Sequence, residues 1–191
     1  MKINYPNGTK LETKKIGDKS RGMTFEHDLN TSNEYYRIHN IAIIYKKPTP
    51  VQIVKVDYPA RNKARIVEGY YQTPSTTDYN GIYKGRYIDF EAKQTENLSF
   101  AFKHIFDHQV NHLKKCKDMG GISFVIIYFK KVNKVFMVDI DPFYELYLHG
   151  EKRGISIEDL QNLEKEKKAY DVKMGFAPLI DYIKGIDYIY F

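Results

Sequence analysis

The feature that most constrains the fold is the segment 87–93, in which polar and apolar residues alternate strictly. Side chains on a β-strand point to opposite faces in turn. One face carries Ile88, Phe90 and Ala92, and the other carries Tyr87, Asp89, Glu91 and Lys93. Because the apolar face must be buried, the segment predicts a strand that holds acids and a base against a hydrophobic core.

Apolar runs and helical periodicity divide the rest of the chain into alternating elements. The predicted helices are residues 23–40, 102–118, 142–148, 156–168 and 178–189. The other predicted strands are residues 41–45, 51–56, 65–71, 122–129 and 135–140, and turns are predicted at Asn80-Gly81 and Lys84-Gly85. This order predicts an α/β (α+β) domain with a mixed central sheet flanked by helices.

Length and composition exclude several classes of protein. The 191 residues predict one domain, and the single cysteine, Cys116, excludes an internal disulfide and a Cys-cluster zinc site. The longest apolar run, residues 122–129, is too short to span a membrane, and the N-terminus lacks an apolar signal core. We therefore expect a cytoplasmic protein that does not associate with membranes.

Positive charge is concentrated in two parts of the chain. Residues 1–22 carry six Lys/Arg and two Asp/Glu, which predicts a basic flexible arm, and residues 41–137 carry 16 and eight. Residues 139–166 are acidic. Basic residues interleaved with tyrosines suit contacts to DNA phosphates and bases, although a merely solvated surface is the alternative. The residues expected to contact DNA are Arg21, Arg61, Lys63, Arg65, Lys84 and Arg86.

A second acid, Asp78, precedes Glu91 by 13 residues, on the partner side of the predicted hairpin. Two carboxylates and a lysine are the groups that metal-dependent phosphodiester hydrolysis needs, because the acids hold Mg²⁺ and Lys93 neutralises developing charge. The alternative is an exposed ion pair among the residues of the strand.

The predicted helix 102–118 places an amide on its inward stripe, which consists of Ile105, His108, Gln109, His112, Leu113 and Cys116. A buried Gln109 needs hydrogen-bond partners or a metal-bound water, which the acidic sheet face would supply; at the stripe's margin it would instead reach solvent. A transition-metal site at His104, His108 and His112 is disfavoured, because no further ligand follows at zinc spacing. No phosphate-binding glycine motif is present.

Residues 75–93, STTDYNGIYKGRYIDFEAK, resemble the signature of the RecU-type Holliday junction resolvases. Four further strings resemble that family in the same order: residues 21–26, 41–54, 106–109 and 175–183. The resemblance implies a restriction-endonuclease-like PD-(D/E)xK nuclease domain at residues 23–191. It also implies a homodimer that cuts two opposed strands of a four-way DNA junction during recombination and repair.

The resemblance also implies roles for individual residues. Thr76, Asp78, Glu91 and Gln109 match the magnesium site of the family, Lys93 matches its transition-state lysine, and Mn²⁺ is expected to substitute for Mg²⁺. Residues 51–75 match a projecting stalk that enters the junction, and Arg61 matches a basic position there. Glu26 matches in type and is an expected accessory residue. Whether Asp89 competes with Asp78 as a ligand stays open.

Two other functions remain compatible with these residues. A nuclease with the same core would cut linear duplex DNA without preferring branches, and a non-catalytic module would bind DNA or regulate a recombinase. The intact set of Asp78, Glu91, Lys93 and Gln109 argues against the module. For a resolvase, we expect a nucleoid-associated homodimer that contacts the recombinase and branch-migration machinery.

Overall fold

The longest apolar run of the sequence forms a central strand of a six-stranded sheet. The structure is a computed structural model and describes residues 25–60, 62–72 and 76–191. Its strands are β1 (Ile43–Lys46), β2 (Val51–Asp57), β3 (Arg65–Tyr71), β4 (Tyr79–Tyr83), β5 (Arg86–Thr95), β6 (Ser99–Ala101), β7 (Ile122–Phe129), β8 (Lys134–Asp139), β9 (Gly154–Ser156) and β10 (Ala169–Val172). The main sheet has the order β1-β4-β5-β7-β8-β10, in which β5 and β7 are parallel and the other neighbours are antiparallel.

Helices cover both faces of this sheet. They are α1 (Phe25–Ile38), α2 (Asp107–Asp118), α3 (Ile140–His149), α4 (Ile157–Lys165) and α5 (Tyr182–Tyr190). One core joins α1 and α5 to the face that carries Phe90, and a second joins α2, α3 and α4 to the face that carries Val125. The predicted class, a mixed sheet flanked by helices, is confirmed.

The alternation of β5 is present as predicted. Ile88 and Phe90 are buried in the core shared with α1 and α5. Asp89 and Glu91 face the opposite way, in register with Ser123 and Val125 of β7, and both are 0% exposed. The alternative of an exposed ion pair is therefore wrong, because α2 and the residues just before β4 contact the two acids.

Of the two predicted turns in the β4–β5 hairpin, one is confirmed. Lys84 and Gly85 both have positive φ, of 47° and 76°, as a two-residue turn between antiparallel strands requires. Asn80-Gly81 instead lies inside β4. A Cβ on Gly81 would lie 2.2 Å from the carbonyl oxygen of Ile43, so this glycine permits β1 to approach β4 closely.

The predicted helix 102–118 is wrong over its first five residues. A 3₁₀ turn spans Phe102–His104, and Phe106 is extended, so the helix begins at Asp107. The Gln109 side chain stabilises this start, because its Oε1 accepts a hydrogen bond of 3.2 Å from the Phe106 N–H.

The buried residues of α2 also differ from the predicted stripe. They are Gln109, Val110 and Leu113. His108, His112 and Cys116 are only partly buried. The structure thus overturns the alternative in which Gln109 reaches solvent, since its exposure is 6%.

Strands β2 and β3 form a separate two-stranded ribbon, which we call the stalk. They pair with each other, with a register shift between Ile53 and Val56. Nearly all stalk residues are exposed, and Tyr71 is 84% exposed. A lone ribbon of two strands is only marginally stable in water. Because its apolar side chains are exposed, they are available to a partner.

Several other predicted elements differ only at their ends. Helix α4 ends at Lys165, before predicted residue 168, and α5 begins at Tyr182, after predicted residue 178. The predicted arm at residues 1–22, with Arg21, lies outside the described residues, as does Arg61 of the stalk. No helix in the described ranges is both long and apolar enough to cross a bilayer.

Candidate active site

The hairpin register brings the two predicted acids together. Tyr79 of β4 pairs with Phe90 of β5, so the chain that enters β4 lies beside Glu91. There the Asp78 N–H donates a hydrogen bond of 3.1 Å to Glu91 Oε2. This contact joins residues 13 positions apart in the sequence and fixes the backbone of one acid to the carboxylate of the other.

The predicted base completes the cluster. Lys93 lies two residues after Glu91 on the same face of β5, and its Nζ is 2.6 Å from Glu91 Oε1. Among the described residues, this ion pair is the one polar contact of the Oε1 atom, although the atom is fully buried. The Glu91 carboxylate therefore relies on an ion pair with a lysine that remains partly exposed.

Burial has the largest influence on the pKa of the Glu91 carboxyl. It raises the pKa of the Glu91 carboxyl to about 7, because a desolvated carboxylate is costly. The Lys93 ammonium lowers that pKa, and the nearby negative charge of Asp78 raises it further. A cation placed between the two carboxylates would relieve both the burial cost and the repulsion.

The donor set fits a hard divalent cation. Carboxylate oxygens at Asp78 and Glu91, one of them buried without a full hydrogen-bond complement, are ligands that Mg²⁺ and Mn²⁺ prefer. An open cavity of about 410 Å³ gives access from solvent to Asp78, and its lining also includes Glu26 and Lys93.

The other two predicted ligands, Thr76 and Gln109, are connected to Asp78 and Glu91 only indirectly. Thr76 is half-buried, two residues before Asp78. Gln109 lies on α2, one turn before His112, which contacts the acidic face of β5 at Asp89. Its Oε1 already accepts the Phe106 N–H, so a metal would have to use the second lone pair of that oxygen.

The expected accessory residue, Glu26, lines the same cavity from α1. Its Oε1 is 2.5 Å from Lys46 Nζ, and its backbone carbonyl accepts a hydrogen bond of 3.5 Å from Tyr79 OH. The ion pair ties the first turn of α1 to the end of β1, beside Asp78.

Asp89 lies in a second cluster on the same sheet face. Its Oδ2 is 2.9 Å from Lys47 Nζ and accepts a hydrogen bond of 2.6 Å from Tyr87 OH. Its Oδ1 accepts a hydrogen bond from the Thr77 hydroxyl. Sequence reasoning missed Lys47 and Thr77, because the pairing of β1 with β4 brings the first to β5 and the exact β4–β5 register brings the second.

His112 also belongs to this cluster. Its Nε2 is 3.3 Å from Asp89 Oδ2 and 3.5 Å from Cys116 Sγ. Burial and the Asp89 charge raise the pKa of the Cys116 thiol. The predicted row of three histidines does not form a common cluster, since His104 is exposed beside Phe100.

The basic residues expected to contact DNA differ in how they are held. Lys63 is exposed on the stalk, where Arg65 pairs with Asp57 at 3.0 Å. Lys84 pairs with Asp187 at 2.7 Å. Arg86 donates hydrogen bonds to the backbone carbonyls of Gly120 and Gly121.

Comparison with known proteins identifies the family. Residues 20–188 match the family model described as RecU: Recombination protein U. The chain is 44% identical to the Holliday junction resolvase RecU of Pediococcus pentosaceus, over 99% of this chain and 98% of that protein. It is 45% identical to the protein of the same name from Bacillus subtilis, over 99% and 96%. The chain belongs to the RecU family.

Holliday junction resolvases are nucleases, so this RecU family member belongs to a family of enzymes. A solved structure of Hjc, a Holliday junction resolvase from Archaeoglobus fulgidus, is 15% identical with a TM-score of 0.32. That likeness covers 48% of this chain and 69% of Hjc and is too distant to support an argument.

Proposed function

We propose that this chain is a Mg²⁺-dependent, structure-selective endonuclease that resolves four-way DNA junctions by paired symmetric nicks, in homologous recombination and repair. The observation that carries the proposal is the cluster of Asp78, Glu91 and Lys93. The names of its full-length relatives, Holliday junction resolvase RecU, support the choice of substrate.

Asp78 and Glu91 are proposed to hold the metal, with Thr76 and Gln109 completing its protein ligands. When bound, Mg²⁺ would polarise the scissile phosphate and lower the pKa of the attacking water. Mn²⁺, another hard divalent cation, is expected to substitute.

Lys93 has a separate role in this proposal. Its Nζ lies beside the buried Glu91 carboxylate and is partly exposed, so it can contact a phosphate oxygen as negative charge builds in the transition state. It also lowers the pKa of the Glu91 carboxyl and so favours the ionised form that a metal needs.

The stalk is proposed to enter the centre of the junction. Its exposed apolar side chains, such as Ile53 and Tyr70, can contact bases that are unstacked at the crossover, and Lys63 can contact phosphates. Phosphate contacts position the DNA without reading sequence, so selection would depend on shape.

Resolution by two symmetric nicks requires two active sites. We therefore propose a C2 homodimer, whose symmetry matches the two opposed strands of the junction. Such an enzyme would act in the cytoplasm at the nucleoid and would meet the recombinase and the branch-migration machinery there.

Cleavage of a synthetic four-way junction and of a linear duplex of the same sequence, with and without Mg²⁺, tests the proposal. We expect paired nicks in the junction that require Mg²⁺ and are lost in Glu91→Gln, which still binds the junction. Equal cutting of both substrates would indicate a general nuclease. Tight binding without cutting in any divalent metal would indicate a binding module.

A further inference from the structure

Asp89 is a fully buried acid that the proposed metal site does not use. Four side chains surround its carboxylate: Thr77 bonds Oδ1, and Lys47, Tyr87 and His112 contact Oδ2. A carboxylate offers about four lone-pair positions. Asp89 Oδ2 is therefore fully engaged within the protein, and Oδ1 also accepts a hydrogen bond. Glu91 Oε1, in contrast, is contacted among the described residues by the Lys93 ammonium alone, at 2.6 Å.

Three hydrogen bonds link Asp89 and its neighbour Lys47 to the segment that carries the proposed ligands Thr76 and Asp78. The Thr77 hydroxyl donates to Asp89 and accepts a hydrogen bond of 3.0 Å from Lys47 Nζ. The Lys47 backbone N–H donates a hydrogen bond of 2.7 Å to the Asp78 carbonyl. Lys47 thus holds the segment through both its side chain and its backbone.

The adjoining peptide is fixed from the other side. The Asp78 N–H donates to Glu91 Oε2 at 3.1 Å, so consecutive groups of Thr77 and Asp78 are bound to alternate acids of β5. Asp89 and Glu91 are two residues apart on one face of β5, and they have different contacts. One binds the side chain before Asp78, and the other faces the site itself.

We propose that Asp89 is a positioning residue that sets the Thr76–Asp78 segment for metal binding through Thr77 and Lys47, and that it does not bind the metal. This inference rests on the proposed function, since it concerns the same metal site. Groups that orient metal ligands through hydrogen bonds typically change metal affinity by about 10- to 100-fold when they are removed.

A competing role for this cluster is a site for a softer metal. Asp89, His112 and Cys116 each offer a ligand atom, and these atoms lie within 4.8 Å of one another. A dication there would have to displace the Lys47 ammonium, which is 2.9 Å from Asp89 Oδ2. That ammonium is the reason that we favour the positioning role.

The test compares Thr77→Val with Thr77→Ser. Valine keeps the shape of threonine and removes the hydroxyl, whereas serine keeps the hydroxyl. Mg²⁺ affinity is measured by calorimetry on the full chain without DNA, and junction cleavage is then measured against Mg²⁺ concentration. Circular dichroism checks that each variant is folded.

We expect Thr77→Val to weaken Mg²⁺ binding by about 10-fold or more, and to shift the Mg²⁺ dependence of cleavage equally. Thr77→Ser should stay within about twofold of the unaltered protein, and Asp89→Asn should weaken binding at least as much as Thr77→Val. Ile186→Ala, a destabilised core variant in α5, should retain normal Mg²⁺ affinity, which separates positioning from loss of stability.

Three results would overturn the inference. Normal Mg²⁺ affinity in Thr77→Val would show that the hydroxyl positions nothing. Loss of the Mg²⁺ site in Asp89→Asn with normal binding in Thr77→Val would make Asp89 a ligand. Stoichiometric Zn²⁺ binding that is lost in Cys116→Ser, and on which cleavage depends, would make the cluster a metal site.

The proposed function fails separately from this inference. If the unaltered protein binds Mg²⁺ and cuts junctions but the variants are normal, the inference alone is wrong. If the unaltered protein neither binds Mg²⁺ nor cuts any junction, both are wrong.

Discussion

The acidic face of β5 and the stalk have opposite relations to solvent. Asp89 and Glu91 are charged residues enclosed by protein, whereas Ile53, Tyr70 and Tyr71 are apolar residues exposed to water. Each arrangement costs free energy for folding, because charges prefer water and large apolar groups prefer burial. Such costs concentrate where a molecule binds something else, and in the proposed function the partner is a cation in the first case and DNA in the second.

The two regions also differ in how their positions are fixed. The acids lie between central strands and are held by hydrogen bonds to β1, β4 and α2. The stalk is held by its own ladder, with an irregular register near Ile53. We therefore expect changes in the sheet to affect chemistry and stability, and changes in the stalk to affect the choice of DNA substrate alone.

The largest expected effect is on cleavage. Glu91→Gln should reduce the junction cleavage rate by about 10²- to 10³-fold or more, since it removes the charge of a proposed metal ligand. Single-turnover cleavage under saturating Mg²⁺ measures this loss. Glu96→Gln, which alters an exposed acid just after β5, is the matched control and should cut normally. Normal cutting by Glu91→Gln would remove Glu91 from the chemistry.

The next effect concerns stability. Phe90→Ala should lower the free energy of unfolding by about 3–5 kcal/mol, because it opens a cavity between the sheet and α5. Ile53→Ala in the stalk should change it by no more than about 0.5 kcal/mol, because that side chain is already exposed. Urea unfolding measures both changes in the free energy of unfolding. Similar values would show that the sheet core and the stalk do not differ in their contribution to stability.

A somewhat smaller effect follows from the raised pKa of Glu91. Its carboxyl titrates near 4.5 when unfolded and near 7 when folded, so the folded state binds the proton more tightly. Below pH 4.5 this carboxyl contributes its full stabilisation to the folded state, about 3 kcal/mol. That contribution is lost as the pH rises through 7.

Urea unfolding at pH 5.5 and pH 8 without metal measures this dependence. We expect Glu91→Gln to be less sensitive to pH than the unaltered protein over that window. Added Mg²⁺ should stabilise the unaltered protein more at pH 8, where the carboxylate is ionised. Identical pH profiles for the two proteins would mean that Glu91 is not the titrating group.

The smallest expected effect lies on the stalk. Arg65→Ala should change stability by less than about 1 kcal/mol, since its ion pair with Asp57 is exposed. If Arg65 contacts a phosphate, the salt dependence of junction binding should weaken by about one unit of slope. Fluorescence anisotropy across a salt series measures this slope, and an unchanged slope would remove Arg65 from the DNA interface.

Local pattern alone predicts much of this structure. The alternation in residues 87–93 places Glu91 and Asp89 on the face opposite Phe90, because strand geometry leaves no other choice. The bounds of β7 and β3 also follow from apolar or alternating runs that end at turns. Asp78 meets Glu91 because the hairpin turn at Lys84-Gly85 sets the register.

The remainder depends on contacts between distant segments. Thr77 and Lys47 have the sequence signature of ordinary loop and strand-end residues. The β4–β5 register brings Thr77 to Asp89, and the pairing of β1 with β4 brings Lys47 there. Gln109 was predicted on a helix that starts too early, since its own hydrogen bond to Phe106 defines the start. Such contacts have no fixed spacing in sequence, so periodicity does not report them.

Removal of the stalk tests whether the acids of β5 carry out DNA cleavage while the stalk selects the junction as substrate. Residues 52–70 are replaced by a short Gly-Ser linker, and the ratio of junction to linear duplex cleavage rates is compared with that of the full chain. We expect the shortened protein to keep Mg²⁺-dependent cutting and to lose its preference for the junction. An unchanged ratio would contradict this expectation.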